Sequence, residues 1–148
     1  MKISTALFGD IEIDENKVIN FETGLPGFAD ETQFIILHDE ENPDSPFCFL
    51  QSMNDTDIVF TLVDILRIKP NYAPAIHEED LLSIGKYEES DFFVYCIATV
   101  SDNIEELTAN LKAPVLINVA TRQGRQGVAS NEEYEIKHKI FDEIKNRE

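Results

Sequence analysis

Five runs of this sequence are apolar at consecutive positions, not only at alternate ones: QFIILH (33–38), FCFLQS (47–52), IVFTLV (58–63), FFVYCIATV (92–100) and VLINVA (115–120). Rich in β-branched and aromatic residues, such runs predict strands covered on both faces. KISTAL (2–7), IEID (11–14) and KVINF (17–21) are shorter strand candidates, punctuated by the turn formers Gly9, Asp10, Asp14 and Asn16. EYEIKHKI (133–140) alternates Tyr134, Ile136, His138 and Ile140 with charged residues, the pattern of a strand with one wet face. Roughly eight or nine strands without β-α-β alternation predict a mostly-β, barrel-like or sandwich-like fold. A length of 148 residues suits one domain over 1–148.

About two short helices are expected beside the strands. DNIEELTANL (102–111) offers Asp102 as an N-cap with Glu105 three residues on, Ile104, Leu107 and Leu111 on one face, and Pro114 to stop it. HEEDLLSIG (77–85) places Glu78, Glu79 and Asp80 in a first turn, where the helix dipole favours acids, with Gly85 as the stop. The loop HDEENPDSP (38–46) and the tail over about 141–148 are the expected mobile segments.

The chain carries 29 acids against 12 bases, a formal net charge of −17. Phosphate backbones and anionic membranes repel such a chain, whereas a basic protein is drawn to it. Cys48 and Cys96 lie inside apolar runs and no C-x-x-C exists, which predicts two reduced core thiols. Asp10 and Glu12 interrupt the N-terminus before any signal-peptide core. The longest apolar run, FFVYCIATV, is about half of a membrane span. A cytoplasmic protein without a membrane segment is expected.

Tests for chemistry fail one after another. HEED at His77 opens like a zinc-protease helix, but Leu81 stands where the second histidine belongs. A calcium loop from Asp39 would need Gly and Glu where Asp44 and Leu50 stand. RQGRQG (122–127) lacks the phosphate-loop Lys-Ser/Thr and opens no apolar helix, and no G-x-S-x-G occurs. The histidines at 38, 77 and 138 show no ligand spacing. No catalytic residues, metal or cofactor are therefore expected.

Between Glu106 and Glu132 there is no acid, and Lys112, Arg122 and Arg125 are the only charges. A buried strand cannot carry unpaired charge, which accounts for most of that stretch. Arg122 and Arg125 are expected to pair with acids of the same chain, with docking as the second choice. In FETGLPGF (21–28), Pro26 and Gly27 suit the two central positions of a type II turn, bracketed by Phe21 and Phe28.

FETGLPGF (21–28), FLQS (49–52), NLKAPVLIN (110–118) and GRQ (124–126), in that order and spacing, resemble the FliW family of flagellar assembly factors, over nearly the whole chain. The resemblance implies a small β-barrel-like domain without enzymatic activity or cofactor. It implies binding of flagellin and binding and inhibition of CsrA, the RNA-binding repressor of flagellin mRNA translation. Flagellin export would free the protein to capture CsrA. One departure stands in FTLVDILRIKPNY (60–72), where Asp64 is followed by Ile65 and not by the family's usual proline.

Three functions compete at this point. They are the partner-switching regulator, an acidic mimic occupying the RNA site of a basic protein, and a small hydrolase using His77 with Glu78, Glu79 or Asp80. Family precedent favours a site on CsrA separate from its RNA site. The segment from Asp64 through Tyr72 to Glu78, Glu79 and Asp80 is the expected partner-binding surface, because acids beside an aromatic suit a basic, partly apolar target. A monomer that binds no nucleic acid directly is expected.

Overall fold

The computed structural model describes residues 2–22, 25, 27–28, 30–86, 88 and 91–146. Among them run eleven strands: β1 (Lys2–Thr5), β2 (Gly9–Glu12), β3 (Ile19–Asn20), β4 (Gln33–Leu37), β5 (Phe47–Ser52), β6 (Val59–Val63), β7 (Phe92–Thr99), β8 (Thr108–Ala109), β9 (Val115–Asn118), β10 (Gln123–Gln126) and β11 (His138–Lys139). Three short helices accompany them: α1 (Ile65–Ile68), α2 (Glu78–Leu82) and α3 (Phe141–Asn146).

Seven strands close into a barrel-like ring in the order β7-β6-β5-β4-β3-β10-β9, with β9 returning to β7. Closure pairs strand edges that an open sheet would leave free. β7 makes it possible by serving two neighbours along its length. Cys96 and Ile97 pair with Val63 and Leu62 of β6, while residues 92–95 pair with 118–115 of β9. Beyond, Ala98 and Thr99 pair with β8, and β8 with β11. The β1–β2 hairpin forms a separate small sheet, its connecting Phe8 set edge-to-face on Phe49 at 5.7 Å between centroids.

The consecutive apolar runs are explained by two cores, one on each face of the same strands. Leu62 enters a cluster with Phe21, Phe34 and Leu50, while its neighbour Val63 enters another with Ile65, Tyr72 and Cys96. Each fully buried side chain of this size removes enough apolar surface from water to contribute about 1.5–3 kcal/mol.

Two expected elements take other forms. DNIEELTANL is not an α-helix: Ile104–Glu106 make a single 3-10 turn and β8 follows. Its cap is Asn103, whose side-chain oxygen accepts from the Glu105 N–H at 3.1 Å, and not Asp102. Leu107, Ala109 and Leu111 are all buried, whereas Ile104 is 64% exposed, so the period-two pattern prevails over the helical one. EYEIKHKI yields only the two residues of β11 as strand, and Ile136 faces solvent. Tyr134 instead packs on Tyr72, and its hydroxyl accepts from the Ala73 N–H at 2.8 Å.

The tail and the acidic loop, expected to be mobile, both contact the rest of the chain, and residues 147–148 lie outside the described residues. α3 packs Ile144 against the second core. The Arg67 guanidinium donates to the carbonyls of Asp44 and Ser45, both at 2.9 Å, at the end of the acidic loop.

Candidate partner-docking surface

The motifs that carry the resemblance turn out to build the fold. In FLQS, Gln51 is wholly buried, and its Nε2 donates to the carbonyls of Ser52 and Thr56 at 3.0 Å, holding the β5–β6 turn. Ser52 Oγ hydrogen-bonds the Glu31 carboxylate and accepts from the N–H groups of Asn54 and Asp55 at 3.1 Å. In NLKAPVLIN, Asn110 Oδ1 accepts from the Ala113 N–H at 3.0 Å, and buried Asn118 donates to the Ile84 carbonyl at 3.2 Å. In GRQ, a Cβ on Gly124 would sit 2.5 Å from Phe21 Cζ, so only glycine lets β10 approach that ring. In FETGLPGF, the Phe28 N–H donates to the Leu25 carbonyl at 2.7 Å and Gly27 has φ +83°, as the third position of a type II turn requires. Pro26 lies outside the described residues.

The cations of the acid-free stretch are committed within the molecule. Lys112 Nζ donates to the Asn131 carbonyl at 2.9 Å. Arg122, at φ 55° in the β9–β10 turn, donates to the Asn16 carbonyl at 3.1 Å, so among the described residues its partner is backbone and not the acid expected. Arg125 does pair with an acid, Asp80, at 3.0 Å, and also donates to Ser83 Oγ at 3.1 Å.

The five expected docking residues do not form one surface. Tyr72 is 4% exposed; its hydroxyl donates to the Leu111 carbonyl at 2.7 Å, and burial pushes its pKa well up. It is a core residue, placed out of a partner's reach. Asp64 is half-buried ahead of α1, its N–H donating to the Pro46 carbonyl at 2.8 Å and its carbonyl accepting from Arg67 at 3.0 Å. A helical turn, Ile65–Ile68, follows it. Burial first, and Asp64's charge second, push the Cys48 thiol up to about 12.

The three α2 acids separate by environment. Glu78 and Glu79 are exposed, while Asp80 is half-buried against Arg125. All three occupy the first turn, where unpaired N–H groups and the dipole favour negative charge. Beside them Leu82 is half-exposed, an apolar contact that sequence reasoning missed although the adjacent Leu81–Leu82 pair signalled it. His77 caps α2 through its backbone only, with no side-chain cap bond. Among the described residues, no group of three His, Cys, Asp or Glu side chains is placed to hold a metal ion. No helix of the described chain is long and apolar enough to cross a membrane. What this arrangement offers is exposed charge beside an exposed apolar side chain.

Comparison with known proteins agrees with the motifs. The FliW protein family model matches residues 2–140. The flagellar assembly factor FliW of Thermoanaerobacter pseudethanolicus is 42% identical over 146 residues, spanning 99% of this chain and 97% of that protein. The protein of that name from Geobacillus thermodenitrificans is 41% identical over 143 residues, with 97% of each chain covered. The crystal structure of the flagellar assembly factor FliW superposes with a TM-score of 0.86 at 38% identity, covering 95% of this chain and 97% of that one. Fold, motif order and near-complete overlap agree, and the chain belongs to the FliW family of flagellar assembly factors.

Proposed function

We propose that this chain is a partner-switching translational regulator. It binds flagellin in the cytoplasm and, once flagellin is exported, captures and inhibits CsrA, relieving repression of flagellin mRNA. The observation that carries this reading is family membership over residues 2–140. The net charge of −17 fits it, because an RNA-binding repressor is basic and an acidic monomer attracts it while repelling the RNA. The reading requires no catalysis and no cofactor. Within it, Glu78, Glu79 and Asp80 on α2 carry the docking of the basic partner, at the end of the segment that starts at Asp64.

The test is calorimetry of the chain with its cognate CsrA, at several salt concentrations and with labelled flagellin-leader RNA present. Capture should weaken as salt rises, because exposed charges are screened within about 8–10 Å at physiological ionic strength. The RNA arm separates a distinct site from mimicry: a complex that forms on RNA-saturated CsrA excludes direct competition. The combined variant Glu78→Gln, Glu79→Gln, Asp80→Asn should lose affinity for CsrA. Unchanged affinity in that variant would remove α2 as the docking face. No binding of wild-type chain to CsrA or flagellin would overturn the functional reading.

A further inference from the structure

β4 is paired along one edge and, for most of its length, not along the other. On one side β5 runs beside it from Phe34 through Leu37. On the other side β3 meets only Gln33 and Phe34, because β3 has two residues and the chain before it is coiled in a 3-10 turn over Glu15–Lys17. Backbone groups along a strand face its two neighbours alternately. The Thr32 carbonyl accepts from the Phe21 N–H on the β3 side, and the Gln33 carbonyl from the Met53 N–H on the β5 side, both at 2.8 Å. By that alternation the N–H and C=O of Ile36 face away from β5. No strand among the described residues continues the β3 ladder to meet them.

A groove of about 780 Å³ lies against this stretch of edge, lined by Ile35, Ile36 and Leu37 together with Ile11 and Ile13 of the β1–β2 hairpin and its exit. Glu12, Asp14, Asp39, Glu40 and Glu41 also line it, against Lys17 and His38 as the basic residues of the described lining. Glu40 and Glu41 are exposed, directly beyond the end of β4. The groove is held in shape. Arg122 pins the 3-10 turn through the Asn16 carbonyl, and Phe8 fixes the hairpin on Phe49. An unpaired strand edge is a template for any passing strand, and natural chains blunt such edges with charge or proline or cover them. Residues 34–37, Phe-Ile-Ile-Leu, carry neither charge nor proline, so this edge is not blunted.

We propose that the β4 edge takes up an extended, basic peptide segment as an added strand, which pairs with the backbone of Ile36 in line with β3 and sets Lys or Arg against Glu40 and Glu41. Strand addition draws affinity from main-chain hydrogen bonds and leaves selectivity to side chains. Here the acids at the end of β4 select a basic segment and reject an acidic one. A second copy of this chain fits the edge poorly, because two molecules of charge −17 repel. The inference stands apart from the reading of α2 and holds whether or not α2 docks CsrA.

The experiment titrates the full chain with a short capped peptide alternating Lys and Val, followed by calorimetry and by amide NMR. Two controls accompany it: the same peptide N-methylated throughout, which keeps the charge and loses the N–H donors, and a peptide with Glu in place of Lys. The plain peptide should bind at least about tenfold tighter than either control, since the N–H and C=O of Ile36 offer two hydrogen bonds. Its binding should shift the amide resonances of residues 35–41. The double variant Glu40→Gln, Glu41→Gln should weaken binding most at low salt; both positions are exposed, so the fold should hold, and melting confirms it. Absence of binding, or equal binding of the N-methylated peptide, would overturn the inference, the latter by showing attraction of charge without strand pairing. Resonance shifts confined to other residues would overturn it too. So would a dimer of the free chain that protects the Ile36 amide from exchange, by assigning the edge to a second copy.

Discussion

Gly124 and Gly27 are required for opposite reasons. Gly124 has ordinary backbone but no room, because Phe21 fills the place of a Cβ. Gly124→Ala must push Phe21, a wholly buried ring, out of its packing, and should cost about 1–3 kcal/mol in denaturant unfolding. Gly27 has open space and a φ of +83°. Gly27→Val therefore costs strain alone, on the order of 1 kcal/mol, and an unchanged melting temperature would contradict the turn geometry. The thiols of Cys48 and Cys96 are both pushed up to about 12, chiefly by burial, from an ordinary value of 9.0. A raised native pKa means that above pH 9 the unfolded chain loses these protons while the folded chain keeps them. Stability contributed by the neutral thiols is thus whole below pH 9 and lost progressively between pH 9 and about 12. Urea midpoints at pH 8, 9.5 and 10.5 should fall in that order, and Cys48→Ala should flatten the decline.

Elements were legible where one periodicity stood unopposed. The runs at 33–38, 47–52, 58–63, 92–100 and 115–120 all became strands, since apolar residues on both faces leave a short segment few other ways to be buried. Over 102–111 two patterns coincided, and sequence could not weigh them. Leu107 and Leu111 fit a helix with Ile104 and fit a strand with Ala109, and only the position of the second core decides. β10 was unreadable as a strand because QGRQ has no apolar residue; its place depends on Gly124 meeting Phe21 and on its pairing with β9. The docking segment failed at Tyr72 for a related reason. A tyrosine among acids reads as amphipathic surface, but a distant carbonyl, that of Leu111, satisfies its hydroxyl inside. α2 was placed within a residue or so because its acids and Gly85 bracket it locally. Its tie to β10, the Asp80–Arg125 pair, is partly exposed at 24% and 35%, so Asp80→Asn should change stability by less than about 1 kcal/mol. A larger loss would mean that α2 is held mainly by this pair and that the combined acid variant tests folding as well as binding.

At the scale of the whole molecule, the family motifs and the proposed binding faces are separate sets of residues. Gln51 and Ser52 hold the β5–β6 turn, Asn118 ties β9 to the Ile84 carbonyl and Gly124 lets β10 pass Phe21, whereas Glu78 and Glu79 stand exposed. Recognition of the family therefore rests on the scaffold. Its charge of −17 predicts no detectable binding to RNA alone at physiological salt, and retention of a labelled RNA at micromolar protein would contradict that. The proposed switch is open to test by cell-free translation of a reporter under the flagellin leader, repressed by purified CsrA, with this chain and then flagellin added in sequence. The chain should restore translation, and excess flagellin should return it to the repressed level. Translation that stays repressed when the chain is added, or that stays restored when flagellin is in excess, would contradict it.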